Sequence, residues 1–548
     1  MNLARTSDLW WKNAVVYCLD VETYADGNGD GVGDFLGLTQ RLDHLAGLGV
    51  TCLWLMPFYP TPNRDDGYDL TDHYAIDESL GTFGDFTEFV RTAADRGMRV
   101  ISDLVVNHTS DQHPWFQEAR QDPDSPLRDF YVWRDEVPED GPHGVVFPGE
   151  QESAWTYDEV AGQYYHHRFY HHQPDLNVAN EAVRDEIRKV IGFWLAQGLS
   201  GFRVDAVPFF LETDGIDETM ELAPHDYLRD LCAFMTRRSG GAIMLGEVNL
   251  EPEQQREFFG DEDGDELQML FNFIGMQTMY LSLARGDAGP LADGLRSLPD
   301  IPDEGQWATF VRNHDELTLD KLTDAEREEV FAAFGPDPDM QVYDRGLRRR
   351  LPPMLDGDER RIRLVYSLLF ALPGTPTIFY GEEIGMGENL AVEGRRSVRT
   401  SMQWQPGPTG GFTSADRDQV RRPPPEGDFD PDHVNVRDQQ ADPDSLLNWF
   451  ERMIRHRRDL PILGWGEWEV VDTGHTAVLG VRHVLDDETV LTLHNLAATP
   501  SHVDVDPDVE DWQVARDLLG DQHVEADGSR LVVDLAGHGY RWLRIESS

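Results

Sequence analysis

The sequence predicts an α/β fold. It reads as a (β/α)8 TIM barrel with a subdomain inserted after strand 3 and an antiparallel β-domain at its C-terminal end. Three observations carry this expectation. Between Ala14 and about Tyr380, eight short apolar runs alternate with longer amphipathic stretches, the pattern of strands buried on both faces and covered by helices. Two connections are far longer than ordinary loops. Beyond about Leu460 the texture changes to short alternating segments divided by turn residues, as an antiparallel sheet requires. An open doubly wound sheet is the competing arrangement of the same βα units.

Taken in order, the strands are expected at 15–19, 51–56, 99–106, 201–204, 242–245, 267–271, 307–311 and 377–380. Helical patterns follow the first two, at 38–48 and 86–96, and another at 181–197 precedes the fourth. The catalytic barrel then spans 1–108 and 175–460, and residues 109–174, rich in Pro, Trp, Tyr and His, form the inserted subdomain. A smaller polar insertion at 317–360 follows the seventh strand, and 406–431, dense in Pro, Gly and Asp, reads as an extended surface loop. Strand-like segments at 470–471, 477–481, 489–494, 503–505, 531–535 and 540–545 make 461–548 a C-terminal β-sandwich.

Composition narrows the function. Of 548 residues, 101 are Asp or Glu and 47 Lys or Arg, a formal net charge of −54. Nucleic acid and anionic membranes would be repelled. Only Lys12, Lys189 and Lys321 are lysines. Few lysines and a large acidic excess point to a protein of a high-salt cytoplasm, where screening relieves self-repulsion. Cys18, Cys52 and Cys232 are odd in number and scattered, which argues against a disulfide framework and a Cys-rich zinc site. With no signal-like N-terminus and no apolar run of about 20 residues, a cytoplasmic protein is expected, and a homo-oligomer is compatible with all of this.

Carboxylates lie where a barrel places its chemistry, at the C-terminal ends of strands. Asp205 ends Gly201-Phe-Arg-Val-Asp205, Glu247 ends Leu245-Gly-Glu247, and Asp315 lies in Val311-Arg-Asn-His-Asp315. Asp103 lies in the third strand. A carboxylate pair about 5–5.5 Å apart can cleave a glycoside in two steps, one as nucleophile and one as general acid and then base. Arg203, two residues before Asp205, shares its side of a strand and would keep it ionised. Taken singly, each carboxylate reads equally well as a surface residue of an acidic chain.

Together, Asp103-Leu-Val-Val-Asn-His108, Gly201-Phe-Arg-Val-Asp205, Leu245-Gly-Glu-Val248 and Val311-Arg-Asn-His-Asp315 resemble, in order and spacing, the four signature regions of the α-amylase family, glycoside hydrolase family thirteen. Gln173-Pro-Asp-Leu-Asn177 resembles a fifth region found in the oligo-1,6-glucosidase and trehalose synthase branch. The resemblance covers nearly the whole chain. It implies Asp205 as nucleophile, Glu247 as acid/base and Asp315 as stabiliser of the transition state. It further implies His108, Arg203 and His314 on the sugar hydroxyls, Asp65 and Tyr68 capping and stacking on that ring, and Arg399, Phe169 and Gln173 at the pocket. Longer matches such as Asn107-His-Thr-Ser-Asp-Gln-His-Pro-Trp-Phe116 resemble the trehalose synthase branch, which isomerises maltose to trehalose. The substrate implied is a small neutral α-glucoside. The alternative is an α-glucosidase or oligo-α-glucosidase, and a catalytically dead scaffold is disfavoured because all three carboxylates are present.

Asp26-Gly-Asn-Gly-Asp-Gly-Val-Gly-Asp34 is the strongest metal signal. Asp26, Asn28, Asp30, the Val32 carbonyl and Asp34 present oxygens in the manner of the first part of an EF-hand, so a structural Ca2+ is expected. Gly37 stands where an EF-hand has its twelfth-position Glu, so a true EF-hand is not. A second, weaker calcium site carried over by position would use Asn107, Asp175 and Glu212, and a plain hydrogen-bond network accounts for them equally well. His166, His167, His171 and His172 are numerous enough for a transition metal, but read better as lining of the pocket. The acidic run 261–266 reads as a solvated loop.

Overall fold

The computed structural model describes residues 8–137, 146–147, 151–211, 224–262, 264–520, 523–525 and 530–547. Eight parallel strands close into a barrel: β1 Val16–Leu19, β2 Cys52–Leu55, β3 Arg99–Leu104, β4 Gly201–Val204, β5 Ile243–Gly246, β6 Met269–Phe271, β7 Gln306–Phe310 and β8 Thr375–Phe379. β1 pairs with both β2 and β8, which seals the ring. Every strand residue except Arg99 is buried. This is why the strands read as continuous apolar runs rather than as alternating ones.

The outer helices follow their apolar spacing. Phe83–Asp95 begins in a capping box between Thr82 and Asp85 and buries Phe86, Phe89, Val90 and Ala93. The single helix expected at 38–48 is instead two, Phe35–Gln40 and Leu42–Leu48. The Asp34 side chain accepts the Gly37 amide and starts the first one early; the chain turns at Arg41, whose guanidinium lies 4.2 Å from the centre of the Trp404 ring.

Segment 109–174 carries the helix Pro114–Gln121 and a three-stranded antiparallel sheet of Trp133–Arg134, Gln163–His166 and Trp155–Asp158. Bridges His108–Asp175 and Tyr131–Leu176 pin it beside the end of β3. Segment 317–360 forms a second small sheet of Leu317–Thr318, Gly346–Leu347 and Gln341–Val342, together with the helix Asp324–Phe334. The expected surface loop 406–431 is more embedded than its composition implies. Phe412 and Val420 are buried, the Phe412 carbonyl accepts the Asp26 amide (2.9 Å), and the Gly31 carbonyl accepts the Arg421 amide (3.2 Å).

The C-terminal region is a six-stranded antiparallel sheet facing a two-stranded one of Ser501–Val505 and Leu531–Leu535. Their inward residues, among them Leu491, Val503, Ala515 and Leu531, form a separate core. Two of its strands, Trp512–Asp517 and His523–Glu525, were not expected. A bulge between Trp512 and Val514 breaks the alternation that Ser501–Val505 and Leu531–Leu535 keep. Among the described residues no helix is long and apolar enough to cross a membrane.

Candidate active site

The strand ends converge on one buried cluster. Arg203, on β4 and fully buried, donates from Nη1 to Asp205 Oδ1 (2.5 Å) and to Asp103 Oδ1 (2.6 Å), and its Nη2 lies 2.8 Å from Glu247 Oε2. Three carboxylates from β3, β4 and β5 thus share one guanidinium. Lateral backbone bonds hold the loops in place: the Asp205 amide donates to the Leu104 carbonyl (3.2 Å) and the Glu247 amide to the Val204 carbonyl (3.1 Å). Ala206 takes a left-handed φ of 50°, costly for a residue with a Cβ, and its amide donates to Glu247 Oε2 (3.2 Å).

Asp315 completes the mouth from the loop after β7. Its amide donates to Asn313 Oδ1 (3.0 Å), and its carbonyl accepts from Arg312 (2.5 Å). Its carboxylate lies 3.1 Å from His314 Nε2 and accepts from Arg395 (2.6 Å) and Arg399 (3.0 Å). Tyr68 stacks on His314 with ring centres 5.5 Å apart, and its hydroxyl is 2.6 Å from His314 Nε2 and donates to Asp103 (3.2 Å). Asp65 accepts from Gln173 Nε2 and from Arg395, both at 2.9 Å. His108 Nε2 is 3.1 Å from the Tyr68 carbonyl, and its ring lies 5.2 Å from Phe169.

These surroundings separate the carboxylates by proton affinity. Burial pushes Glu247 up to about 7 against the pull of Arg203. Burial also raises Asp205, to about 6, again opposed by Arg203. Asp315 differs: burial acts upward, but His314, Arg395 and Arg399 outweigh it and hold the carboxyl well below the usual range. Burial pushes His314 down to about 4, so at pH 7 it is a neutral imidazole that acts on Asp315 through its hydrogen bond, and the two arginines supply the charge. The result is one carboxyl that keeps its proton near neutrality, one that gives it up more readily and one always ionised, which suits acid, nucleophile and electrostatic stabiliser.

Beside Glu247 and Asp315 opens a cavity of about 210 Å³. Phe169, Phe209 and Phe273 supply apolar walls; Asn249, Glu316, Asp320 and Arg345 supply polar ones. Asn249 Nδ2 donates to Asp320 (3.0 Å), as does Gln277 Nε2 (3.0 Å).

Asp65, Tyr68, His108, Phe169, Gln173, Arg203, Asp205, Glu247, His314, Asp315 and Arg399 therefore gather around one mouth. Sequence reasoning missed Arg395, which bridges Asp315 and Asp65, and Asp66, which accepts from Arg399 Nη1 (2.7 Å) and also pairs with Arg422. It also missed Trp54, whose indole donates to Asp103 (2.7 Å). Arg395 and Arg396 are adjacent, and nothing local says which is aimed inward.

In the acidic loop, the side chains fold back onto the backbone. Asp26 accepts the amides of Asn28 (3.0 Å), Gly29 (2.6 Å) and Gly31 (2.8 Å); Asp34 accepts those of Gly27 (3.2 Å) and Gly37 (2.6 Å). Asn28 and Asp30 accept the amides of Asp30 and Val32, each at 2.9 Å. Gly29 and Gly31 curl the loop through left-handed φ of 83° and 93°. Burial and the nearby charge of Asp26 raise Asp34. The donors are hard oxygens, which fit Ca2+ chemistry, although among the described residues no three His, Cys, Asp or Glu side chains form a metal cage.

Of the second expected set, Asn107 Nδ2 donates to Asp175 (3.1 Å) and His166 Nδ1 lies 3.1 Å from Asp175, while Glu212 lies outside the described residues. The histidine run is spoken for piecemeal: His167 lies between Thr156 and the Phe169 carbonyl, and His172 stacks on Tyr170.

Comparison with known proteins agrees with this geometry. The family model described as alpha amylase, catalytic domain, matches residues 21–332 and 348–466, and one described as sucrose hydrolase-like, C-terminal domain, matches 488–544. The chain is 40% identical to a trehalose synthase of Pimelobacter, over 98% of this chain and 96% of that one. It is 40% identical to a trehalose synthase/amylase of Mycobacterium tuberculosis, over 98% and 90%. Among solved structures, an alpha-amylase from H. orenii superposes with a TM-score of 0.78 at 25% identity, covering 98% of this chain and all of that one. The trehalulose synthase MutB from Pseudomonas mesoacidophila superposes with a TM-score of 0.77 at 27% identity, covering 98% and 99%.

Proposed function

Since the chain belongs to the α-amylase family, we propose that it is a retaining α-glucoside-acting enzyme that interconverts maltose and trehalose by intramolecular glucosyl transfer. The observation that carries the retaining chemistry is the sharing of Arg203 by Asp205 and Glu247, at 2.5 and 2.8 Å, with Asp315 opposite between two arginines. The 40% identity to trehalose synthases over nearly the whole chain supports the isomerase outcome.

In the first step an Asp205 oxygen attacks the anomeric carbon of maltose. The glycosidic bond breaks, and Glu247 gives its proton to the departing oxygen. Ionised Asp315 offsets the positive charge that builds on the ring, and His108, Arg203, His314, Asp65 and Arg399 hold its hydroxyls. The freed glucose turns in the cavity walled by Asn249, Asp320 and the three phenylalanines. Its anomeric hydroxyl then attacks the same carbon, Glu247 takes that proton, the bond to Asp205 breaks, and trehalose forms. Water attacking instead yields a second glucose. Excluding it separates isomerase from glucosidase.

Structural Ca2+ at Asp26, Asn28, Asp30, the Val32 carbonyl and Asp34 is part of this proposal. It would neutralise a loop that packs against 406–431 and touches no reacting atom. A cytoplasmic site of action is supported by Cys18, Cys52 and Cys232 being buried and free, and a high-salt one by the net charge of −54. The deciding experiment is incubation with maltose followed by NMR of the anomeric protons. Trehalose signals are expected; glucose alone would assign the chain to the glucosidases.

A further inference from the structure

We propose that Arg395 is a positioning residue that ties Asp315 to an aromatic roof over the catalytic cavity, and that this tie sets how the glucosyl-enzyme divides between glucose and water. The inference rests on the isomerase reading above and deepens it. Arg395 donates from Nη1 to Asp315 Oδ1 (2.6 Å) and from Nη2 to Asp65 Oδ1 (2.9 Å), while its guanidinium carbon lies 5.2 Å from the centre of the Phe147 ring. Phe147, itself 2% exposed, stacks on Tyr170 at 4.8 Å and packs on Tyr343 at 4.7 Å. The hydroxyls of Tyr170 and Tyr343 are 2.9 Å apart.

These residues come from three separated stretches. Phe147 and Tyr170 belong to the insertion after β3, Tyr343 to the segment after β7, and Arg395 to the chain beyond β8. The two insertions thus meet over the mouth, and Arg395 joins their contact to the carboxylates. Tyr343 and Asp344 both hold left-handed φ, 56° and 55°. For a bulky tyrosine that conformation persists only where its surroundings enforce it, and here the roof contacts do so.

Arg399 makes the comparison internal. It too bonds Asp315, but it is fully buried and anchored on Asp66 and on the His314 carbonyl. Its hold on Asp315 is therefore independent of the roof. Arg395 is the cation at Asp315 that an opening roof would release. Besides these two arginines, Asp315 faces His314 and Tyr68, and across the mouth Asp103, Asp205 and Glu247; Glu316 lies 3.9 Å from Arg395. The two second steps differ only in the attacker. Each breaks the bond to Asp205 and hands one proton to Glu247, so an opened roof changes the product without changing the machinery.

The test compares the full chain with R395Q, R395K and Y343F on maltose, with trehalose and glucose quantified by NMR across pH. R395Q should raise the glucose-to-trehalose ratio at least fivefold and move the acid limb of kcat/KM upward. R395K should restore the limb but not the ratio, because a point charge cannot span two carboxylates and a ring. Y343F, which removes one hydroxyl, should raise the ratio at least twofold with the limb unmoved, and it decides the matter should R395Q fail to fold. A wild-type ratio in both R395Q and Y343F, or equal losses of both products, overturns the proposal. Glucose alone from the unmodified protein would instead overturn the isomerase reading on which it rests.

Discussion

Carboxylates crowd two parts of this chain and are held there by opposite means. At the barrel mouth, Asp103, Asp205, Glu247 and Asp315 face side-chain cations, Arg203, Arg395 and Arg399, delivered from distant segments. In the loop Asp26–Asp34 the partners are mainly the loop's own backbone amides, two to five residues ahead of Asp26, Asn28 and Asp30, and both behind and ahead of Asp34. Amides fix shape but bring no net charge, so the loop stays electrically unbalanced. Guanidinium groups bring charge, and their placement sets each carboxyl's proton affinity separately. One region is built to tune protons, the other to be neutralised by something hard and positive.

The largest effect should come from removing a tuned carboxylate. Asp205→Ala is expected to lower kcat on maltose by at least about 10⁴-fold, as losing a nucleophile does in enzymes whose groups act as a unit. Retained turnover would refute the assignment. Glu247→Gln should cost maltose turnover about as much, yet leave kcat/KM for the p-nitrophenyl α-glucoside far less affected, because forming the glucosyl-enzyme from that leaving group needs no proton.

The proton affinities make a second prediction. Asp205 must be ionised, so activity should fall as pH drops through about 6. Glu247 must carry a proton, so activity should fall as pH rises through about 7. The two values belong to an interacting pair, and the expected kcat/KM profile is a narrow bell. With the p-nitrophenyl substrate, Glu247→Gln should lose the alkaline limb and keep the acid one. A broad plateau in the unmodified protein would mean that the barrel mouth tunes nothing.

The same contrast explains what the sequence could disclose. All eight barrel strands were legible because burial on both faces makes them predominantly apolar. Asp205, Glu247 and Asp315 were legible because each follows such a strand within a recognisable motif. Arg395, Asp66 and Trp54 were not, because their partners lie far away in the chain and no local spacing marks them. The strand Trp512–Asp517 escaped because a bulge shifts its register. The acidic loop showed the reverse: its oxygens recur at alternate positions and its own amides answer them, so most of the device is local, the Thr413 hydroxyl on Asp26 being the distant exception.

If the loop is the part awaiting a cation, chelation should affect it and spare the mouth. After dialysis, metal analysis is expected to find bound Ca2+, and EDTA should lower Tm by several degrees while kcat measured below the new Tm stays within about twofold. Asp30→Asn should weaken retention of the metal with little other consequence, since Asp30 is exposed and accepts one amide. Protein free of metal after dialysis, with Tm indifferent to EDTA, would return the loop to a hydrogen-bonded turn.

The smallest effect concerns the charges outside both regions. Most of the 101 acidic residues belong to neither cluster. They sit on faces such as the helix Asp324–Phe334, where the four carboxylates Asp324, Glu326, Glu328 and Glu329 meet two cations, Arg327 on Asp324 and Arg285 on Glu329, and the Asp324 side chain is almost fully exposed. Exposed pairs contribute little, at most about 1 kcal/mol each, so the net charge of −54 is mainly self-repulsion. Salt screens exposed charges far more than buried ones. Raising KCl from low to molar concentration should therefore raise Tm by several degrees while leaving the pH bell where it is, because Arg203, Asp103 and Asp205 are buried and Glu247 is only a quarter exposed. A Tm indifferent to KCl would remove the high-salt reading. A bell that shifted with KCl would mean that solvent reaches the mouth, and would dissolve the distinction between tuned and untuned carboxylates.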